Sequence, residues 1–492
     1  MFPFKTSIQF DRDSNQALYL QLSNQIIQLI KNQTLVSNTK LPGSRTLAEQ
    51  LGVHRKTIVA CYDELLLQGW VESIPKTGTF VHRNLPILEQ QKLEHVFDAD
   101  LKRDTGFSFY KNSIFPKKPQ KRDTDIMYLN DGVSDSRLTP IEEIARTYRK
   151  ICSKNNVFQH LMYGSTYGNS TLREVLAVYL NETRGLHITK DQILITRGSQ
   201  MGIWLSSQLL LQKEDVIVVG NTNYRSADET FLNRHAKLER VLVDEHGLVT
   251  KDIEDLCKRK PIKAVYVTSH HHHPTTVTLC AERRIHLLNL AKQYKFAIIE
   301  DDYDYDFNYN HAPILPLASH DTHGNVIYIG SVCKTVAPVF RVGYLVASKE
   351  FVDEASKLRG YVDRQGDALL ELTFANFIKS GDLDRHIRKV MKVYKQRRDL
   401  FCKLLKDELG YFFQFEIPKG GMAIWVKLKP DYSWGTISEV ARHYKLEIGN
   451  WERYDSAKLN HNCIRMGFAA YNEDEIAVCI NRLKMTMDSM TT

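Results

Sequence analysis

A chain of 492 residues is too long to fold round one core and calls for a small module plus a large domain that can subdivide. Its net charge of +8 suits a weak preference for polyanions, and the lack of dense Lys/Arg blocks excludes a non-specific nucleic-acid coater. Eight cysteines without a Cys-x-x-Cys pair argue for a reducing cytoplasm over a disulfide framework, and no apolar run suits a signal peptide or membrane span.

In chain order, apolar residues recur at helical spacing over residues 18–30, and Leu41-Pro-Gly-Ser44 then breaks the chain. A short helix over 46–51 follows, with Ser44 or its neighbour placed to cap it. Gly52-Val53 makes a tight turn into a second amphipathic helix over about 55–68. That helix turns Ile58, Val59, Tyr62, Leu65 and Leu66 inward and leaves Arg55, Lys56 and Thr57 at its exposed start. Helices set this way form a helix-turn-helix, whose second helix presents its N-terminal residues to base edges in the major groove. Residues 70–81 read as two short strands round Pro75-Lys-Thr-Gly78, a wing whose basic tip meets phosphates or the minor groove. Residues 1–83 hold nine Lys/Arg and six Asp/Glu, a net of +3, so charge alone does not establish DNA binding. Residues 84–122 are polar and irregular, with Pro116, Pro119 and a basic cluster, and read as a flexible linker.

Tyr163-Gly-Ser-Thr-Tyr-Gly168, followed by Leu172-Arg173, opens the informative part of the remaining chain. An apolar strand over 192–195 runs into Thr196-Arg-Gly-Ser-Gln200 and a helix over 201–211. A small-residue turn opening a helix offers bare backbone N–H groups to a phosphate, which singles out Gly198, Ser199 and Gln200. A strand over 216–219 ends in Gly220-Asn-Thr-Asn-Tyr224. His270-His-His-His-Pro274 invites a metal reading, which is rejected: consecutive residues of an extended segment face alternate sides, so at most two could meet one ion. Residues 296–303 form a buried apolar strand that carries its carboxylates at its C-terminal end, where α/β sheets place ligands. Asp301 there can hold a pyridinium nitrogen protonated, because an opposite charge within bonding distance favours the charged form. The next strand, over 326–329, delivers Gly330-Ser-Val-Cys-Lys334 to the same rim, where Lys334 can form a Schiff base with an aldehyde. Asp301, Tyr303, Ser331, Lys334 and Arg341 together point to pyridoxal 5'-phosphate (PLP). Arg465, in Cys463-Ile-Arg-Met-Gly-Phe468, lies on a late strand before a closing helix over 473–483.

From about Tyr128 to Leu483 these motifs resemble the fold-type I aminotransferases. The resemblance implies an α/β body with a large mixed, mostly parallel sheet and a smaller C-terminal α+β part from about residue 360. It makes Asp301 the partner of the pyridine nitrogen, Tyr303 the donor to the ring hydroxyl and Lys334 the lysine of the internal aldimine. Gly198, Ser199, Gln200, Ser331 and Arg341 become the phosphate cup, where a guanidinium fork chelates two oxygens. Tyr224 becomes the aromatic that stacks on the ring. The family has serine directly before the lysine, where this chain has Cys333, a poor donor. It also shows an acidic residue and a proline where this chain has Gly220 and Thr222. The histidine run resembles a segment beside the cofactor, which puts His271 against the ring or substrate. Arg465 grips a substrate α-carboxylate, and Tyr163 reaches the cofactor phosphate of the other subunit, so that the pocket is complete only in a homodimer.

The first residues resemble the GntR winged helix through Leu41-Pro-Gly-Ser-Arg-Thr-Leu-Ala48, Leu51-Gly-Val-His-Arg-Lys-Thr-Ile58, Ala60-Cys-Tyr-Asp-Glu-Leu65, Gly69-Trp-Val71 and Gly78-Thr-Phe-Val81. The match implies DNA contact at Arg45, Arg55 and Thr57, with Lys56 beside them, and at Lys76 and Gly78 of the wing. Joined in this order, reader (1–83), linker (84–122) and body (123–492) resemble the MocR family of regulators (MocR/GabR/PdxR type). The expectation is a cytoplasmic homodimer that binds a double-stranded operator, holds PLP on Lys334, senses PLP or an amino compound, and turns over little or nothing. The competing reading is a working aminotransferase with an autoregulatory DNA-binding module. A DNA-binding protein whose pocket has lost the cofactor is disfavoured, since nothing but the cofactor needs both Lys334 and Asp301.

Overall fold

The computed structural model describes residues 2–85, 105, 107–110, 125–309, 314–332, 334–449, 451–455 and 458–491. They cluster in two compact units, Met1–Tyr110 and Lys111–Thr492. Most of the expected linker, and Cys333 with its phosphate contact, lie outside the described residues.

In the first unit, α1 (Leu18–Lys31), α2 (Ser44–Leu51) and α3 (Arg55–Leu67) precede a hairpin of β1 (Val71–Ile74) and β2 (Gly78–Val81). α1 buries Leu22, Ile26, Ile27 and Ile30 in one cluster with Ile58, Cys61, Tyr62 and Leu65 of α3. Each such side chain contributes about 1.5–3 kcal/mol when fully buried, so packing rather than intrinsic propensity holds these short helices. Two expectations from sequence are corrected. The short helix starts at Ser44 and not at 46; of the two cap candidates it is Ser44's neighbour, Gly43, that takes the cap position, and the Ser44 hydroxyl accepts from Arg55 Nε at 3.3 Å. Val59 is exposed and Cys61 is buried in its stead, because residue 59 lies about 100° round the helix from Ile58, while 58, 61, 62 and 65 share one face.

The second unit is organised round seven strands: β3 (Ile193–Thr196), β4 (Val216–Gly220), β5 (Lys237–Val241), β6 (Ala264–Val267), β7 (Ala297–Asp302), β8 (Val326–Ser331) and β9 (Gly343–Val346). Their spatial order is β3-β9-β8-β7-β6-β4-β5, and every neighbouring pair is parallel except the two that β9 makes. β6 and β8 are apolar along most of their length, β7 is apolar over Ala297–Ile299 before its three carboxylates, and all three are buried along nearly their whole length, the pattern of a sheet covered on both faces. Helix α4 (Ser199–Leu210) follows β3 directly, beginning two residues before the expected start.

A smaller C-terminal part has the antiparallel strands β10 (Phe413–Phe415), β11 (Ala423–Leu428) and β12 (Cys463–Gly467). They pack with α5 (Asp382–Leu409) and α6 (Glu473–Thr491) round Phe401, Leu405, Ile424, Trp434, Met466 and Leu483. The chain visits this part early, since Met127–Leu129 pairs in parallel with Leu446–Ile448. That pairing carries Asp131 and Gly132 to the side of Arg465. Among the described residues no helix is long and apolar enough to cross a membrane.

Candidate functional site

The parallel register of β7 and β8 sets Asp301 level with Ile329 and Asp302 level with Gly330, so both strands release their polar residues at one rim. Asp301 is buried, and its Oδ2 accepts from the Tyr266 hydroxyl at 2.8 Å. Its other oxygen, Oδ1, is buried without a hydrogen-bond partner. Burial pushes the carboxyl up to about 7, reinforced by Asp302 and Asp304 and opposed by Tyr266 and Lys334. An unsatisfied buried acceptor costs about 1–3 kcal/mol, which a protonated ring nitrogen would offset. Lys334 reaches the same space from the segment after β8, and its Nζ donates to Gly132 O at 2.8 Å.

The phosphate end of the pocket is shaped by close backbone approach. Gly198 opens α4 at φ +79°, and a Cβ there would lie 2.9 Å from both terminal nitrogens of Arg341. A Cβ at Gly343 would lie 2.7 Å from the Cα of Gly198. Only glycines allow the turn, the guanidinium and the start of β9 to meet, and a helix N-terminus beside a guanidinium fork is a cradle suited to phosphate. Ser331 Oγ donates to Val342 O at 3.2 Å, and Arg341 donates to Arg197 O. The Gln200 amide donates to Thr230 Oγ1 at 2.9 Å, and its Oε1 is buried without a hydrogen bond. The donor set, the open Asp301 oxygen and the cradle thus fit PLP.

At the other end Arg465 is buried, with Nε donating to Asp131 O at 2.8 Å, Nη1 to Pro274 O at 3.1 Å and Nη2 to Tyr303 Oη at 3.3 Å. Burial works against its charge, but Tyr303, Asp304 and Asp131 outweigh it and hold its pKa above the usual value. Arg453 pairs with Asp131 at 3.0 Å. No motif marked Asp131 or Arg453; only the pairing of Met127–Leu129 with Leu446–Ile448 brings them here. The Tyr303 hydroxyl donates to His271 O at 2.9 Å, so its one hydrogen is committed to that carbonyl.

The four histidines separate by partner. His270 Nδ1 lies 3.1 Å from Asp302 and its Nε2 meets Ile314 O, His271 Nδ1 lies 2.9 Å from Asp304 Oδ1, and His272 Nδ1 lies 2.9 Å from Thr275 Oγ1. His273 Nδ1 is buried without a hydrogen bond, and its ring lies 5.1 Å from Tyr224 and 6.2 Å from Tyr303. Burial and then Arg465 hold His273 well below the usual imidazole range, so it is neutral. The expected contact residue, His271, therefore meets the Tyr303 side through its carbonyl, while the imidazole nearest Tyr224 belongs to His273. A bend at His270 and His271 and a turn from His273 to Thr275 rotate the rings away from simple alternation. His270, His271, Thr275 and Thr276 of the segment, together with Phe415 and Trp425, line a cavity of about 800 Å³. Among the described residues no group of three or more His, Cys, Asp or Glu is arranged to hold a metal ion.

Tyr224 precedes the helix Arg225–Asn233, with its ring edge-on to His273. Tyr163 is 78% exposed, with the Arg364 guanidinium 4.2 Å over its ring. In the first unit Arg45, Arg55 and Lys56 are exposed, Thr57 is half-buried, and Lys76 and Gly78 sit exposed at the hairpin turn. Lys40 joins them unforeseen: it bridges to Phe80 of β2, with its Nζ 5.9 Å from that ring.

A mostly parallel sheet with an aspartate, a lysine and a glycine-arginine cradle at one rim is the body of a fold-type I transferase, here in one chain with a winged helix-turn-helix. Residues 124–483 match the aminotransferase class I and II family and residues 18–81 the gntR family of bacterial regulatory proteins. The chain belongs to the class I and II aminotransferase family and carries a GntR-family module in the MocR-type arrangement. It is 26% identical over 475 residues to the HTH-type transcriptional regulator YdfD of Bacillus subtilis, covering 96% of this chain and 97% of that one. With the probable rhizopine catabolism regulatory protein MocR of Rhizobium meliloti it shares 26% over 424 residues, 84% of this chain and 82% of the relative. Among solved structures it resembles the kynurenine aminotransferase of Pyrococcus horikoshii, with a TM-score of 0.70, 28% identity, and coverage of 75% and 92% of the two chains.

Proposed function

We propose that this chain is a PLP-dependent transcription regulator that binds an operator through residues 1–83 and senses PLP, or an amino compound, in the body at 123–492. The observation that carries the reading is the open Oδ1 of Asp301, in the same rim as Lys334 and the Gly198–Arg341 cradle, within a chain that also carries a winged helix. Bound PLP would supply an electron-withdrawing ring and an aldehyde that captures amines. Lys334 is the lysine for that aldehyde, Asp301 keeps the ring nitrogen protonated, and Gly198, Ser199, Gln200, Ser331 and Arg341 hold the phosphate. Tyr224 covers the ring, Tyr303 flanks it with the His273 imidazole beside both tyrosines, His271 serves that side through the carbonyl that holds Tyr303, and Arg465 receives an effector carboxylate. Arg45, Arg55, Lys56, Thr57, Lys76 and Gly78 contact DNA.

The working form is a homodimer, in which Tyr163 completes the neighbouring pocket. The exposed run Phe158, Leu161, Met162 and Tyr163 supports this, because apolar side chains grouped at a surface favour burial against a partner. A protein that reads operator DNA works in the cytoplasm. Its ligand acts by preferring one of two arrangements, since only differential affinity moves such an equilibrium, and turnover is slight.

The test is affinity for the DNA upstream of its own gene at fixed salt, with and without bound PLP. A difference identifies PLP as the signal, and equal tight binding directs the search to amino compounds. Failure to bind both PLP and DNA sinks the reading. Sustained keto-acid production from an added amino acid would favour the enzyme.

A further inference from the structure

We propose that Tyr266 is the positioning residue for Asp301: its hydroxyl holds one carboxylate oxygen and leaves the other for a ligand whose aromatic ring carries a basic nitrogen. The proposal rests on the PLP reading above and concerns what selects that ring.

Tyr266 stands on β6 opposite Ile299 of β7, two residues before Asp301 and on the same face of the strand. A phenol there reaches diagonally along the neighbouring strand, and its hydroxyl meets Asp301 Oδ2 at 2.8 Å. The ring is 1% exposed and held edge-on by Phe231 with centroids 5.6 Å apart, so the hydroxyl has no freedom to swing away. Among the described residues it is the one hydrogen-bond donor to this carboxylate, whose Oδ1 has no partner.

The charges facing Asp301 make that donor decisive. Asp302 and Asp304 leave the same strand end and oppose its ionisation, and Lys334 favours it. Tyr224 and Tyr303 face the same cluster without donating to Asp301. A charge-assisted hydrogen bond favours the ionised carboxylate, which alone attracts a ring N–H cation. Because Oδ2 is occupied, the carboxylate presents a single oxygen, a geometry suited to one N–H rather than to a bidentate partner.

The experiment compares binding of PLP with binding of 1-deaza-PLP, which has carbon in place of the ring nitrogen, to wild-type and Tyr266→Phe full-length protein. Loss of the donor is expected to weaken PLP roughly tenfold or more, and to leave the deaza analogue within about twofold, so the preference for PLP collapses. In an Asp301→Asn background, Tyr266→Phe is expected to have no effect on either ligand. Equal weakening of both ligands would mean that Tyr266 only packs, and would overturn the proposal. If the Phe variant fails to fold, 3-fluorotyrosine at position 266, a stronger donor of nearly the same shape, is expected to raise the preference for PLP, and an unchanged preference counts against the proposal. Wild-type protein that binds neither ligand sinks the PLP reading with it, whereas a Phe variant that binds PLP as wild type does sinks this proposal alone.

Discussion

Asp301 makes the stability of the cofactor-free body depend on pH. Its carboxyl is raised from 3.8 to about 7, chiefly by burial. The folded state therefore holds the proton more tightly than the unfolded chain. The stabilisation is fully present below about 3.8 and is lost as pH rises through about 7, an effect on the order of 4 kcal/mol. Asp301→Asn removes it, so cofactor-free wild type is expected to lose stability relative to the variant between pH 4 and 7.5 in denaturant titrations. Parallel curves would show that the carboxyl ionises freely. Lys334→Ala is expected to abolish the visible absorbance that PLP acquires on binding, while cofactor-free operator affinity stays within about twofold. At this scale sequence is informative where a role demands one residue type at one place: Asp301 lies at the end of one strand and Lys334 in the segment just after the next. His273, Asp131, Arg453 and Tyr266 carry no such mark, because their neighbours arrive from distant parts of the chain.

At the scale of elements, the start of α3 is the place to test DNA reading. Arg55 is exposed, and its Nε donates to Ser44 Oγ at 3.3 Å, which ties the start of α3 to the start of α2. Arg55→Ala is expected to cost about 1–3 kcal/mol of operator affinity and to relax specificity at one base position, leaving the PLP absorbance intact. Operator binding unchanged by this variant would place the second helix in another orientation. Lys40 lies beside the wing through Phe80, and Lys40→Ala is expected to lower the salt dependence of binding by about one phosphate contact, uniformly across sequences. The helices and hairpin were legible because apolar spacing and turn residues are local signals. Their ends were less so: Ser44 sits inside α2, because Gly43 meets the cap geometry without a side chain.

For the whole molecule, the decisive question is whether one pocket needs two chains. If Tyr163 serves the neighbouring pocket, mixed dimers of Lys334→Ala and Tyr163→Phe chains contain one pocket with both residues intact. Mixing the two variants is then expected to restore PLP affinity at about half the pockets of each mixed dimer, read by titration of the absorbance. A local role for Tyr163 would restore none.

The amino-acid sequence by itself determined the two-part organisation, the placement of Asp301 and Lys334 at and just after consecutive strand ends, and the order of the winged helix, because each rests on periodicity or on short motifs read within a few residues. Tertiary structure alone decided which histidine ring faces Tyr224, which oxygen of Asp301 stays open, and how Asp131, Gly132 and Arg453 join Arg465. Those outcomes depend on the register of β6 with β7, the pairing of Met127–Leu129 with Leu446–Ile448, and the bend in the histidine run. Each is a long-range contact or a backbone rotation, and neither leaves a local pattern in sequence.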